Sequence, residues 1–490
     1  MAQVDRRVFK SYDIRGTYPD QLDERFACLL GRALASVLGA WRVAVGHDSR
    51  LSSPSLYAAL AAGLRDAKAD VGGMGLCATE LVYYVMGSAA ERHPGGPKAA
   101  SGAFDLGVMI TASHNPPEYN GFKVVRAGGE PVSGAGGLDE VRRAMEAMDV
   151  GAMAGAAPPK TVAAEEEYLD FALRLVGTPQ AQRLRIAVDA GNGVGGLLWE
   201  GLSCRLGVEP VRLNCEPDGR FPAHHPDPSH RQNLEQLIGA VRARRLDLGF
   251  CYDGDADRVV VALPDGHVVD GSEMIACIAE RLLSRRPSPA FGVGQTTSRR
   301  ALDHFRRGGV EPTIVPVGHA KIKRVMRADP EMAFAGEDAG HYYYRDFFCC
   351  DSSLITTLHV LHLAAGGRLE ALVRSLPGPW VRPADEPAFA FANQAHALQV
   401  CRAVSLRMLE RQRAPLEITC EREGRVVRHC TPADVEACDG VRADYADWWF
   451  CVRPSGTEPI ARLALEARSA GLLEERQREL SALFGELGAP

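Results

Sequence analysis

Lysine is scarce in this 490-residue chain: seven of its 56 basic residues are lysine, and none lies between positions 161 and 320. No block of Lys and Arg is long enough to track a phosphate backbone, and the formal net charge is −6, so nucleic acid is not an expected partner. Long apolar runs are missing too. The longest uncharged run of the second half, Ser352 to Gly367, carries Ser, Thr, His and Gly and falls short of the roughly 20 apolar residues that span a bilayer. The opening MAQVDRRVFKSYDIRG has basic residues with no apolar stretch behind them, so neither a membrane anchor nor a secretory leader is expected, and a cytoplasmic location follows. The thirteen cysteines are an odd number with no C-x-x-C and one adjacent pair, Cys349-Cys350, which argues for reduced, buried thiols.

What the chain has in quantity is apolar material: 46% of residues are hydrophobic against 24% charged, which excludes a disordered or fibrous class. At about 150 residues per domain, the length corresponds to roughly three to four domains. Three segments open alike, Arg42-Val-Ala-Val-Gly, Arg185-Ile-Ala-Val-Asp and Pro289-Ala-Phe-Gly-Val, as apolar runs followed by helix starts. They read as parallel strands buried on both faces and feeding βα turns, which predicts three related α/β units. Further strands are expected at Leu106 to Ile110, Phe122 to Val125, Leu246 to Tyr252 and Val259 to Leu263, and Pro54 marks the first turn of a helix. The last quarter, with strands at Leu416 to Cys420, Val426 to Cys430 and Trp448 to Val452 and a helix at Leu472 to Leu487, reads as α+β. Gly151 to Pro159 reads as a linker, Pro94 to Ala103 as a surface loop, and turn-rich stretches near Pro264 and Pro377 mark two more boundaries.

Four polar loops carry chemistry. Thr111-Ala-Ser113-His114-Asn115-Pro116 follows a buried strand, where open α/β sheets bind ligands, although an isolated stretch of this kind also fits a plain turn. Asp253-Gly-Asp255-Ala-Asp257-Arg258 sets three carboxylates at i, i+2 and i+4, which repel unless a hard cation such as Mg²⁺ or Ca²⁺ sits among them. An EF-hand fails, because its sixth and twelfth positions would be Arg258 and Pro264. Arg453-Pro-Ser455-Gly456-Thr457 offers a guanidinium fork, two hydroxyls and a glycine, a set suited to a phosphate dianion. Gly336-Glu337-Asp338-Ala339-Gly340-His341 offers acceptors and an imidazole for sugar hydroxyls. Gly191 to Gly196 formally satisfies G-x-G-x-x-G, but a strand-to-helix turn wants glycine anyway, and the turn is the preferred reading over a dinucleotide site. A candidate nucleophile, a metal cage, a phosphate clamp and a polyol grip together imply phosphoryl transfer on a polar small molecule.

In these loops, in Lys10-Ser-Tyr12-Asp13-Ile14-Arg15-Gly16, in Asn120-Gly121-Phe122-Lys123 and in Gly219-Arg-Phe221-Pro-Ala-His-His-Pro-Asp-Pro, the sequence resembles the α-D-phosphohexomutase superfamily, most closely its bacterial phosphomannomutase/phosphoglucomutase branch. The resemblance implies four domains around a central cleft: α/β domains with mixed sheets at 1–157, 158–264 and 265–378, and a smaller α+β domain at 379–490. It implies Ser113 as a phosphoserine, with Asp253, Asp255 and Asp257 holding one Mg²⁺ against its phosphate. Lys123, Arg15, His114 and Arg258 would surround the reacting centre; Tyr12, His319, Glu337, Ala339 and His341 would meet the sugar, and Arg453, Ser455, Gly456 and Thr457 the distal phosphate. For Lys123 to act as a base, neighbouring cations would have to lower its pKa. The implied reaction interconverts hexose 1-phosphate and hexose 6-phosphate, of mannose or glucose, through a bound 1,6-bisphosphate that also serves as activator. A phosphoglucosamine mutase and a non-catalytic sugar-phosphate binder are the alternatives, and monomer and homodimer are both open. Two departures bear on sugar preference: Ala339 stands where the family commonly has serine, and Gly294-Gln295-Thr296 lacks a lysine often found there.

Overall fold

The computed structural model describes residues 4–92, 104–149, 159–285, 290–383, 386–412, 414–456 and 458–488. Thr457, the whole of the loop expected at 94–103 and, except for Pro159, the linker expected at 151–159 lie outside the described residues. The chain forms two units, Met1–Asp270 with Ala339–Ala371, and Gly271–Asp338 with Leu372–Pro490.

In the first unit, strand Arg42–His47 lies between Asp70–Leu76 and Leu106–Ile110, all parallel, and Tyr119–Arg126 returns antiparallel beside Leu106–Ile110 to pair with Ile14–Thr17. The pattern recurs. Ile186–Asp189 lies between Val211–Leu213 and Leu248–Tyr252, again parallel, and Val259–Ala262 returns antiparallel. The turn at Pro264 is a hairpin within this sheet, leading from Val259–Ala262 into Val268–Val269. Leu106–Ile110 and Leu248–Tyr252 are buried at every position, as strands covered on both faces require, and this is why they read as unbroken apolar runs. Helix Ser53–Asp66 starts with Pro54 in its first turn, as expected.

In the second unit, Ala290–Gly294 lies between Thr313–Val315 and Met332–Gly336, all parallel. The C-terminal sheet is antiparallel throughout, in the order Ala388–Ala390, Ile460–Ala467, Trp448–Pro454, Gly440–Asp444, Glu417–Arg422, Arg425–Val427. Residues of helices Gln394–Arg411 and Ala470–Glu486 join that sheet in one apolar core. The expected strand at Val426 to Cys430 ends at Val427, because the chain turns at His429, whose φ is +56°, before Cys430 donates its N–H to the Ile418 carbonyl.

One regularity positions the site. In each of the three parallel triplets the strand that comes last in the chain, Leu106–Ile110, Leu248–Tyr252 or Met332–Gly336, ends in one of the candidate loops, at Thr111, Asp253 and Glu337. Open α/β sheets present ligand-binding loops at such strand ends. Among the described residues no helix is long and apolar enough to cross a membrane, and all thirteen cysteines are free thiols.

Candidate active site

Ser113 has φ +51°, a left-handed conformation that costs a residue with a Cβ about 1–2 kcal/mol. The surroundings hold it there. Its N–H donates to Thr111 Oγ1 at 2.8 Å, and its carbonyl accepts from the Arg50 guanidinium at 2.9 Å. Arg50 is fully buried and also donates to the carbonyls of Asn115 and Pro116, each at 2.6 Å, and of Tyr119 at 2.9 Å, while Asp48 grips its Nε at 3.1 Å. One guanidinium thus ties down four carbonyls of the serine loop. In the sequence Arg50 bears no motif, and its one mark is a charged group just after a buried strand.

The acidic loop meets that serine. Ser113 Oγ donates to Asp253 Oδ2 at 2.7 Å. The approach depends on glycine: a Cβ on Gly254 would stand 2.6 Å from the Ser113 carbonyl oxygen, and one on Gly193 would stand 2.6 Å from that of Gly254. The glycines of the Gly191 to Gly196 turn therefore have a packing role that leaves the dinucleotide reading without support. Asp253, Asp255 and Asp257 are buried, with one oxygen from each inside a common 4.8 Å. Two unit charges at such a distance repel by about 4 kcal/mol at an effective dielectric near 20. Burial, together with Asp255 and Asp257, pushes the Asp253 carboxyl well above its ordinary range.

Lys123 partly neutralises the group. Its Nζ donates to Asp255 Oδ2 at 2.7 Å and to Asp257 Oδ2 at 2.5 Å. Burial pulls the ammonium down, but Asp255 and Asp257 outweigh it and hold Lys123 above its ordinary value, so it serves here as a fixed cation. The lowering that a basic role would need is the reverse of what this environment produces. Burial raises Asp255, yet Lys123 and the Thr79 hydroxyl prevail and hold its carboxyl low. Two oxygens remain without a hydrogen-bond partner, Asp255 Oδ1 and Asp257 Oδ1. Orphaned, buried carboxylate oxygens beside a third carboxylate fit a hard divalent cation, and this group could hold a metal ion.

The other candidates of the first unit surround this pair of loops. Arg15 donates to Asn115 Oδ1 at 2.6 Å and to the Ala112 carbonyl at 3.3 Å, oriented by Asp13 at 2.8 Å. His114 Nδ1 lies 3.3 Å from Ser113 Oγ, and burial with the nearby Arg258 and Arg15 cations depresses the imidazole well below its ordinary value. Arg258 Nε lies 3.9 Å from Asp253 Oδ2 and donates to His341 Nε2 at 2.8 Å. Nε2 of His341 is therefore an acceptor, and Nδ1 carries the proton toward Asp351 Oδ2 at 3.0 Å and Asp257 Oδ1 at 3.6 Å. Asp351 bears no motif of its own: it lies ten residues past His341, between the Cys349-Cys350 pair and the uncharged run that starts at Ser352. Tyr12 is partly buried in the segment leading to Arg15, and Ala339 is exposed.

In the second unit Glu337 is buried and accepts the N–H of Gly318 at 2.9 Å, beside His319. Arg453 stands at the end of strand Trp448–Pro454 with its Nε lacking a hydrogen-bond partner. Ser455 receives the N–H of Glu458 on its hydroxyl at 3.3 Å, and Gly456 is exposed. Gln295 is fully buried with neither side-chain polar atom hydrogen-bonded. It borders this region, because a Cβ on Gly440 would lie 3.2 Å from Arg453 Cβ and 3.6 Å from Gln295 Oε1.

Asp189, His224 and Cys251 form a separate group of potential metal ligands in the first unit. Both ring nitrogens of His224 face acceptors, Nδ1 the His225 carbonyl at 2.9 Å and Nε2 Asp189 Oδ1 at 3.2 Å. Burial opposes the charge, but Asp189 and that carbonyl raise the imidazole above its ordinary value. A doubly protonated ring clamping Asp189 accounts for the contact.

Comparisons with known proteins agree with the geometry. Sequence models described as phosphoglucomutase/phosphomannomutase match the chain four times: alpha/beta/alpha domain I over residues 6–149, domain II over 166–266, domain III over 270–379 and the C-terminal domain over 421–483. The chain is 33% identical to phosphohexose mutases of Xanthomonas campestris pv. campestris across 97% of its own length and 99% of theirs. It is 32% identical to the phosphomannomutase of Escherichia coli K12 across 98% and 99% of the two chains. The crystal structure of a phosphoglucomutase/phosphomannomutase family protein from Burkholderia thailandensis superposes with a TM-score of 0.80 at 31% identity, covering 99% of each chain.

Proposed function

The chain belongs to the phosphoglucomutase/phosphomannomutase family, and from that premise we propose that it interconverts hexose 1-phosphate and hexose 6-phosphate, of mannose or glucose, through phosphorylated Ser113. It is a phosphohexomutase, an isomerase of the intramolecular phosphotransferase type. The observation that carries the reading of Ser113 is its hydroxyl, 2.7 Å from Asp253 inside a buried acidic triplet. The plan of four domains at 1–157, 158–264, 265–378 and 379–490 is part of the same reading, supported by the four matched ranges. So is a cytoplasmic setting, supported by the thirteen free thiols.

Asp253, Asp255 and Asp257, with the phosphate on Ser113, would hold one Mg²⁺, whose charge would neutralise the phosphoryl oxygens. Phosphoryl transfer needs positioning and charge neutralisation more than covalent assistance from the protein. Lys123, held charged by its neighbours, and Arg15 and Arg258 supply that positive charge. His114, kept neutral by burial, is available as a hydrogen-bond partner of the serine oxygen. Ser113 phosphate passes to a sugar hydroxyl, the resulting 1,6-bisphosphate turns around, and its other phosphate returns to Ser113. Tyr12, His319, Glu337, Ala339 and His341 are assigned to the sugar, and Arg453, Ser455, Gly456 and Thr457 to the phosphate at the non-reacting end. Added hexose 1,6-bisphosphate would serve as activator by rephosphorylating Ser113.

The test is a panel of mannose, glucose and glucosamine 1-phosphates with Mg²⁺ and a trace of glucose 1,6-bisphosphate, followed by intact mass. Turnover of mannose or glucose phosphate, with one phosphate adduct that vanishes in Ser113→Ala, is expected. Preference for the glucosamine phosphate would move the assignment to that substrate, and full sugar-phosphate binding without any adduct would overturn the phosphoserine reading.

A further inference from the structure

Thr79 was not among the candidates, yet it touches the acidic triplet at two points. It is fully buried at the start of helix Thr79–Arg92, and its N–H donates to the Asp255 carbonyl at 3.0 Å. Its hydroxyl donates to Asp255 Oδ2 at 2.6 Å. Lys123 donates to the same oxygen at 2.7 Å, so Oδ2 carries two donors and Oδ1 none.

We infer that Thr79 is a positioning residue that selects which oxygen of Asp255 faces the cation. The inference rests on the metal reading of the triplet given above. A carboxylate can present either oxygen by rotating its terminal torsion, which is broad and two-fold. A donor fixed on one side removes that freedom, and a hydroxyl bonded to a carboxylate is a strong, charge-assisted donor. Lys123 imposes the same bias, but it sits on a long flexible stem and is shared with Asp257 at 2.5 Å. Thr79 is different in kind. Its side chain is β-branched and stiff at χ1, and its backbone is pinned to the same residue that its hydroxyl reads. Backbone and side chain together fix both the distance and the direction from which Oδ2 is held, so that Oδ1 stays available to a cation. A helix cap would instead turn the hydroxyl toward the N–H groups of its own first turn; here it donates across to the acidic loop. Partners of this kind that orient a ligand carboxylate contribute roughly 10- to 100-fold to metal affinity.

The test measures Mn²⁺ bound by the full chain, from the loss of the free-ion paramagnetic resonance signal, in the wild type, Thr79→Val, Thr79→Ser and Asp253→Asn, with thermal unfolding in chelator as a check on folding. Binding roughly 10- to 100-fold weaker in Thr79→Val is expected, with Thr79→Ser, which keeps the hydroxyl and the backbone contact but not the stiff χ1, between it and the wild type. The half-saturating Mg²⁺ for turnover should rise in parallel, with kcat at saturating Mg²⁺ close to wild type. Equal Mn²⁺ affinity in Thr79→Val and wild type, or a Thr79→Ser variant as weak as Thr79→Val, overturns the role of Thr79. A wild type whose Mn²⁺ binding is unchanged by Asp253→Asn instead overturns the metal reading, and this inference with it.

Discussion

The serine and acidic loops of the first unit and the phosphate-clamp loop of the second carry comparable residue types and are held in opposite ways. Ser113 sits in a left-handed conformation on a loop whose carbonyls take four hydrogen bonds from one buried arginine, and its hydroxyl lies 2.7 Å from a carboxylate. Arg453, at the end of a strand inside an antiparallel sheet, has an Nε with no hydrogen-bond partner, and its Nη2 lies 3.8 Å from Glu386 Oε1. On the proposed roles, the firmer hold falls on the loop that would place reacting atoms and the looser one on the loop that would only anchor a phosphate. Substitutions that perturb the first region should therefore act on kcat, and those in the second on KM.

The sharpest break is Arg50→Ala, which frees four carbonyls of the serine loop. A fall in kcat of roughly 100-fold is expected from a misplacement of about 1 Å, with Arg50→Lys a poor rescue because one ammonium cannot serve a fork of five contacts; steady-state kinetics beside circular dichroism would check it. Gly254→Ala comes next. The added methyl would meet the Ser113 carbonyl at 2.6 Å, backbone that cannot yield cheaply, so a loss of about 1–3 kcal/mol in stability and a slowed phosphorylation of Ser113 are expected by denaturant unfolding and intact mass. Arg453→Ala should raise KM about 10-fold while Ser113 is still phosphorylated by sugar bisphosphate; a kcat loss as large as that of Arg50→Ala would erase the contrast.

Smaller effects come from the protein's buried titrating groups. Burial raises Glu80 to about 8, against which its hydrogen bonds to Ser352 and the Leu354 N–H only partly act. An acid whose pKa is raised on folding loses stability as pH rises from its unfolded value near 4.5 toward about 8, so Glu80→Gln should gain roughly 1–3 kcal/mol over the wild type at pH 8 and little at pH 4.5. His224 is a base raised on folding, so its contribution is complete below the unfolded value of 6.5 and is lost as pH climbs through the folded one. His224→Asn should remove about 1 kcal/mol at pH 6 and less at pH 9. Melting temperatures across that range would register both.

Five of the nine strands in the parallel triplets were legible because strands buried on two faces give unbroken apolar runs that stop at a polar turn, whereas Asp70–Leu76, Val211–Leu213, Thr313–Val315 and Met332–Gly336 were not. A role could be proposed for each loop because its residue types are local in sequence: three aspartates within five positions, or a guanidinium followed by hydroxyls. What could not be read were contacts made across the fold. Arg50 reaches residues more than 60 positions away and Thr79 reaches 176, and neither bears a motif of its own. The strand expected at Val426 to Cys430 was cut short by a left-handed residue that is not glycine, where side-chain type gave no warning.

Because the last strand of every parallel triplet opens into a candidate loop, the hydrophobic layers and most of the proposed chemistry are written in separate stretches of the gene, Arg15 and Lys123 being carried on strands instead. Changes within such a bend leave the strands themselves intact, but they are constrained wherever the bend packs on a neighbouring loop, as Gly254 does on Ser113.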